Sequence, residues 1–211
     1  DNTSSRSRLQ IDMIDPVPVQ DAERIDASGE AIVLRGIETR VIMLGFAHDH
    51  ETLRNGAENP FADVRVRQAV AQAVNVPAIL QTIMRGAAEP ASQLVPPSAR
   101  GFSTANDTRP TFDLEAARAL LAEAGYPDGF AFDLSCTNDR YLNDESVCQA
   151  IVAMLAQIGL TVTLDAMPVS NYWPELRADN FDMYLLGWSP GTFDAEHPLR
   201  FLVHTAGERF G

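Results

Sequence analysis

Short strand-like runs recur along the chain and predict six β-strands. In these runs, apolar and polar residues alternate, or several apolar residues stand together between turn-forming residues. The runs read LQIDMID, EAIVLRG, TRVIMLGF, FAFDLSC, TVTLDAM and FDMYLLGW. Pro16 and Pro18 follow the first run and predict a turn there.

Other stretches carry apolar residues at the helical spacing of three and four. The clearest helix has Asp63 as its N-cap and an apolar face that runs from Val66 to Ala73. A second clear helix is capped by Asp113 and closed by Gly125. Further helices are predicted in VQDAERIDAS, VPAILQTIM, DESVCQAIVAMLAQIGL and SNYWPELRADN.

The order of these elements predicts the fold class. Strands separated by helices of about 10–15 residues are typical of an α/β fold with a largely parallel sheet. Residues 85–110 contain four prolines and little periodicity, which predicts a long loop.

Composition narrows the choice of partners. The chain has 211 residues, 16 basic and 29 acidic, so its formal net charge is −13. An acidic surface repels nucleic acid and anionic membranes. No apolar run approaches the roughly 20 residues that a membrane-spanning helix needs. The chain begins at Asp1 rather than Met, and we expect it to be a processed piece of a longer protein.

Cys136 and Cys148 are the two cysteines of the chain. Zinc ligands usually come in closer pairs, and no histidine lies beside either residue to activate a thiol. A strand end and the first turns of the next helix bring two Cα atoms within about 6 Å, as a disulfide requires. The spacing therefore favours a disulfide, with two free thiols as the alternative.

His48 and His50, in the sequence AHDHE, are the most metal-like residues. Two histidines at this spacing supply two ligands on one face of a strand, and no third ligand stands at a useful distance along the chain. We therefore interpret this stretch as a solvated loop and predict no metal site. Nucleophile-elbow, phosphate-loop and zinc-protease motifs are absent from the sequence.

Trp188 ends the strand-like run FDMYLLGW and precedes Ser189, Pro190 and a glycine. In open α/β sheets, ligands bind at the carboxyl ends of the strands. An indole there offers a flat apolar wall and one N–H donor. The alternative is that Trp188 fills the core.

Four stretches resemble the peptide/nickel-type extracellular solute-binding proteins of ABC transporters. They read NPFADVRVRQAVAQAVNVPAIL, EAARALLAEAGYPDGF, NDRYLNDESVCQAIVAMLAQIGL and YLLGWSPGTFDAEHPL, and they occur in the order typical of that family. The resemblance covers residues 11–205, nearly the whole chain.

The resemblance implies a lobe of the periplasmic-binding-protein-like fold, type II, with helices flanking a mixed, largely parallel sheet. It implies that residues 1–44 form a crossing segment from a first lobe, residues 45–205 the second ligand-binding lobe, and residues 206–211 the start of a return to the first lobe. The implied protein is a periplasmic receptor without a cofactor or enzymatic activity. Its implied partners are a small or peptide-like solute, the permease subunits and the remaining first lobe.

The resemblance also implies which residues contact the solute. The expected ligand-binding residues are Asn138, Arg140, Tyr141, Trp188, Ser189, Gly191 and Asp194. Members of one branch carry a matching cysteine pair, which supports the disulfide. Peptide-binding members have an aspartate three residues after the tryptophan, where this chain has Gly191, and this departure weakens an assignment to oligopeptides.

Two alternative functions remain at this point. One is a hydrolytic enzyme that uses the carboxylates of Asp139, Asp144 and Asp194. The other is a metal receptor of the nickel type that uses His48 and His50.

Overall fold

The computed structural model describes residues 12–204, which divide into two compact units, one up to Arg35 and one from Gly36 onward. The first unit contains helix α1 (Ala22–Ser28), which ends at Gly29 with a left-handed φ of 67°. Residues 9–11 of the first predicted strand lie outside the described part, and residues 12–15 are not a strand.

The predicted strand EAIVLRG is wrong. Residues 31–37 run without strand pairing, and the side chains of Ile32 and Leu34 are 84% and 91% exposed. A strand needs a hydrogen-bonded neighbour, whereas this segment is held by side chains, since Asp26 accepts bonds from the Val33 N–H and the Arg35 guanidinium. Alternation of apolar residues does not supply a neighbour.

Between residues 36 and 204, six α-helices flank a sheet. They are α2 (Val64–Ala73), α3 (Val76–Thr82), α4 (Leu114–Glu123), α5 (Asp144–Ala156), α6 (Val169–Arg177) and α7 (Glu196–Leu202). Asp63 and Asp113 cap α2 and α4 through their side chains, as the sequence predicts. Helix α7 was not predicted, because Pro198 interrupts its pattern. No helix among residues 12–204 is long and apolar enough to cross a membrane.

The sheet has four strands in the order β1, β4, β2, β3. They are β1 (Val41–Phe46), β2 (Ala131–Thr137), β3 (Thr161–Met167) and β4 (Met183–Trp188). Strand β2 pairs in parallel with both β3 and β4, whereas β1 is antiparallel to β4. The predicted fold class, a mixed and largely parallel sheet flanked by helices, is confirmed.

The direction of the strands defines two edges of the sheet. Strands β2, β3 and β4 all end at one edge, at Thr137, Met167 and Trp188, and Val41 pairs with Trp188, so β1 begins there. We call this the upper edge, and the opposite one the lower edge.

The lower edge is held by carboxylates. Asp182 is buried and accepts hydrogen bonds from the backbone N–H groups of Arg54 (2.7 Å) and Asp133 (3.0 Å). The Arg54 guanidinium also lies 3.3 Å from the Asp133 carboxylate and 3.1 Å from that of Asp165. Asp182 thus ties the segment after β1 to β2 just before β4 begins, and Arg54 bridges the middle of β2 and β3.

The predicted disulfide is not formed, since Cys136 and Cys148 are free thiols. Both are fully buried in the main core, where β2 meets α5. A hydrogen bond with Cys136, together with burial, raises the pKa of the Cys148 thiol. The spacing correctly predicted that the two side chains lie close together, but both are free thiols buried in the core.

Phe61 lies at the centre of the main core and is fully buried. Its ring lies 5.1 Å from that of Phe46, 5.0 Å from that of Phe132 and 5.7 Å from that of Phe130, measured between centroids. Rings at these distances and inclined to one another stabilise a core beyond their buried area. This cluster joins β1, β2 and the segment before α2.

We expect Phe61→Ala to lower the free energy of unfolding by about 3–5 kcal/mol, because it removes a fully buried ring and leaves a cavity. Phe112→Ala is the matched control, since that ring is 39% exposed. Urea unfolding followed by circular dichroism measures both changes. Equal losses in the two variants would contradict this description of the core.

Candidate functional site

The upper edge brings together three loops and the start of β1. Residues 138–143 follow β2, Pro168 follows β3, and residues 189–195 follow β4. All seven expected ligand-binding residues lie at this edge, because each belongs to one of these loops or, in the case of Trp188, to the end of β4. Parallel strands direct their C-terminal loops to the same side, so this clustering follows from the sheet topology.

Asp144 shapes the loop that follows β2. Its Oδ2 accepts hydrogen bonds from the Thr137 hydroxyl (2.6 Å) and from the backbone N–H groups of Arg140 (3.1 Å) and Tyr141 (3.0 Å). The side chain is buried at the first turn of α5, where the helix dipole favours a negative charge. Asp144 therefore closes a tight turn that leaves Asn138 and Arg140 exposed.

Tyr141 packs against the strand ends. Its hydroxyl donates to the Gly187 carbonyl (3.2 Å), and a Cβ on Gly187 would lie 2.6 Å from the Tyr141 ring and 2.7 Å from Ile42. Glycine is therefore required at position 187 so that the phenol can lie against β4. The Gly187 backbone itself is regular strand.

Two arginines flank the Tyr141 ring. The Cζ atoms of Arg40 and Arg140 lie 5.6 and 5.7 Å from its centroid, within the range of cation–π contacts. Burial raises the pKa of the Tyr141 phenol, and the two guanidiniums oppose part of that rise. Burial therefore favours the neutral phenol. The Arg40 guanidinium is paired with Glu38 (3.1 Å), whereas Arg140 has no ion pair among residues 12–204.

Trp188 has a mixed environment. Its indole is half-buried and packs against the smaller core cluster of Tyr172, Leu176, Phe181 and Leu186. Its Nε1–H donates to Nδ1 of His197 (3.1 Å), and the two ring centroids lie 5.4 Å apart. Trp188 is thus part core and part surface, and its N–H group is engaged by α7.

The loop after β4 is attached to the long loop of residues 85–110. The Arg100 N–H donates to the Phe193 carbonyl (2.9 Å), and the Ala195 N–H donates to the Arg100 carbonyl (2.9 Å). This pairing leaves Ser189 and Gly191 exposed and the Phe193 side chain 69% exposed.

A shallow depression lies at this loop. It has a volume of about 60 Å³, opens to solvent, and is lined by Thr39, Pro190, Gly191, Thr192 and Phe193. Pockets that enclose a small molecule usually hold about 300–1,000 Å³. The depression is therefore one wall of a site rather than a closed pocket.

The carboxylates suggested for hydrolysis have structural partners. Asp139 accepts from the Val169 N–H at the start of α6 (2.7 Å), and Asp194 accepts from the Glu196 N–H at the start of α7 (2.8 Å). Asp144 holds the turn described above. Each thus has a role in loop geometry.

The two histidines suggested for a metal receptor lie beyond the end of β1, at the lower edge, and do not converge. His48 contacts the Phe46 carbonyl through Nδ1 (3.3 Å), whereas Nε2 of His50 lies 2.7 Å from Asp179. Among the described residues, Asp49, His50 and Asp179 place possible ligand atoms within 4.8 Å of one another. Both carboxylates are exposed, and the His50–Asp179 distance is that of an ordinary surface pair.

Sequence reasoning missed three residues of the upper edge, namely Thr39, Arg40 and His197. Thr39 and Arg40 reach it because β1 runs antiparallel to β4, a direction that the sequence pattern does not specify. His197 reaches it through α7. Its position nine residues after Trp188 carries no signal without that helix.

Residues 7–210 match the family described as bacterial extracellular solute-binding proteins, family 5 Middle. Over 151 residues, the chain is 32% identical to the glutathione-binding protein GsiB of Escherichia coli, and 33% identical to GsiB of Salmonella choleraesuis. Each match covers 69% of this chain and 29% of the relative, so the chain spans less than a third of the length of these relatives.

Solved structures share the fold. AgaA of A. tumefaciens, in complex with agropinic acid, is 28% identical with a TM-score of 0.76, and the match covers 92% of this chain and 38% of AgaA. DppA of Helicobacter pylori, in complex with the peptide STSA, is 24% identical with a TM-score of 0.76, and the match covers 86% of this chain and 33% of DppA.

We expect Asp144→Asn to lower the free energy of unfolding by about 1–3 kcal/mol, because an amide cannot accept all the hydrogen bonds that converge on the buried carboxylate. Glu145→Gln is the matched control, since Glu145 pairs with Gln149 at the surface. Thermal melting and limited proteolysis at residues 138–143 measure the effect. An Asp144→Asn protein with wild-type stability and proteolysis would show that the turn does not depend on this carboxylate.

Proposed function

The chain belongs to the bacterial extracellular solute-binding proteins of family 5, and on that premise we propose that it forms one ligand-binding lobe of a receptor for an ABC importer. The lobe binds a small solute at its upper edge and performs no chemistry on it. The single observation that carries the proposal is the convergence of Arg40, Arg140 and Tyr141 beside the depression-forming loop after β4.

The charge of this edge favours a solute that carries a carboxylate. The chain has a formal net charge of −13, yet the Arg140 guanidinium lies beside Tyr141 at the strand ends, whereas that of Arg40 is paired with Glu38 (3.1 Å). Arg140 is exposed, and its planar guanidinium can bind a carboxylate through two hydrogen bonds. The ligands of two similar proteins, glutathione for GsiB and agropinic acid for AgaA, agree with this chemistry.

A second surface is needed to enclose the solute. The depression of about 60 Å³ opens to solvent, whereas good sites cover about 70–90% of a ligand's surface. We propose that a further lobe of the receptor supplies the opposite wall and that the two lobes close on the solute by a hinge motion. Residues 1–44 are then the crossing segment, residues 45–205 this lobe, and residues 206–211 the return.

The remaining elements of the proposal follow from the family. The receptor works outside the cytoplasm, in the periplasm, and passes its solute to permease subunits in the membrane. Asn138, Ser189 and Asp194 supply polar contacts, Gly191 allows the solute to approach the backbone closely, and Trp188 contributes the exposed part of its indole.

We expect the receptor at its natural length to bind at least one member of a panel of carboxylate-bearing solutes, consisting of reduced glutathione, dipeptides and agropinic acid. Arg140→Gln should weaken that binding about 10- to 100-fold, because it removes a charge-assisted hydrogen bond. Isothermal titration calorimetry measures the affinities.

Arg118→Gln is the control for this experiment, because Arg118 lies on α4 and bonds Glu115 and the Gln157 carbonyl. The affinity of the Arg118→Gln receptor for the solute should equal that of the wild-type receptor. Binding that survives Arg140→Gln unchanged, or a solute whose amidated form binds equally well, would contradict a carboxylate site at Arg140.

A further inference from the structure

The structure defines which ring nitrogen of His197 carries the proton in the neutral imidazole. The indole Nε1–H of Trp188 lies 3.1 Å from Nδ1 of His197. A tryptophan N–H is a donor only, so Nδ1 of His197 must accept. In a neutral imidazole, the proton then resides on the other nitrogen, and Nε2 is a donor.

This Nε2–H group lies next to the depression at the upper edge. Nε2 is the atom nearest to the position that a Cβ on Gly191 would take, at 3.5 Å, followed by Cδ2 at 3.7 Å and Cε1 at 3.9 Å. Gly191 lines the depression and has no side chain to cover Nε2. Among residues 12–204, no group hydrogen-bonds Nε2 of His197.

The imidazole is held in this orientation from two sides. Its ring centroid lies 5.4 Å from that of Trp188 and 4.8 Å from that of Phe201 on the next turn of α7. Trp188 in turn packs against the smaller core cluster. An oriented donor binds an acceptor at a smaller entropic cost than a mobile side chain does.

We propose that His197 is a specificity-determining residue of the solute site, whose Nε2–H donates a hydrogen bond to an oxygen of the solute across Gly191. This inference rests on the proposed function and deepens it. Arg140 selects a carboxylate, whereas His197 requires an acceptor oxygen, such as a carboxylate, carbonyl or hydroxyl oxygen, beside Gly191. It also gives the Trp188 indole a second role, namely that of fixing the tautomer of His197.

Two substitutions test the role of Nε2 of His197 while a hydrogen-bond acceptor for Trp188 is retained. In His197→Asn, the amide oxygen can replace Nδ1 as the acceptor for Trp188, but nothing reaches the position of Nε2. Gly191→Val leaves His197 intact and covers Nε2 with a side chain, and the Gly191 backbone needs no left-handed φ that would oppose the change.

The tautomer is measured first, without any solute. Long-range ¹H–¹⁵N correlation spectra of the chain should show the His197 ring protonated on Nε2 at neutral pH. A ring protonated on Nδ1 would overturn the inference and leave the proposed function standing.

The affinity is measured next, by calorimetry on the natural-length receptor, with each member of the solute panel named above as the probe. We expect both His197→Asn and Gly191→Val to fold and to weaken binding about 10-fold, the loss of one hydrogen bond. Wild-type affinity in both variants would overturn the inference, whereas a wild-type receptor that binds no member of the panel would overturn the proposed function.

Discussion

The candidate site depends on the buried carboxylate of Asp144. It accepts hydrogen bonds from Thr137 at the end of β2 and from the backbone of Arg140 and Tyr141, and it belongs to the first turn of α5. One charge thus joins a strand end, a turn and a helix start. Because of this turn, the Tyr141 ring lies on β4 and the Arg140 side chain reaches solvent.

The sheet places this turn beside the other loops of the upper edge, and together they form a surface. Three parallel strands end together, while the lower edge is tied by Asp182 and Arg54, so the loops of the upper edge rest on fixed strand ends. The exposed guanidinium of Arg140 lies there, although the chain as a whole is acidic. A solute receptor needs this combination of a rigid wall and a few oriented polar groups.

Hydrophobic periodicity predicted the layered fold well, because the period of each element reflects which of its faces is buried. The N-caps at Asp63 and Asp113 were predictable for the same local reason. Features that depend on contacts between residues distant in sequence could not be predicted. They are the absence of a strand partner for residues 31–37, the antiparallel direction of β1 that brings Arg40 to the upper edge, and the hydrogen bond from Trp188 to His197. For Cys136 and Cys148, the spacing predicted proximity but not the free thiols.

The central claim is that the solute binds at the upper edge of the sheet. Hydrogen–deuterium exchange of the natural-length receptor, with and without a bound solute, tests it most directly. The account predicts slower exchange in residues 138–143 and 189–195 when the solute is bound. Slower exchange confined to the lower edge, in residues 47–54 and 178–182, would contradict it.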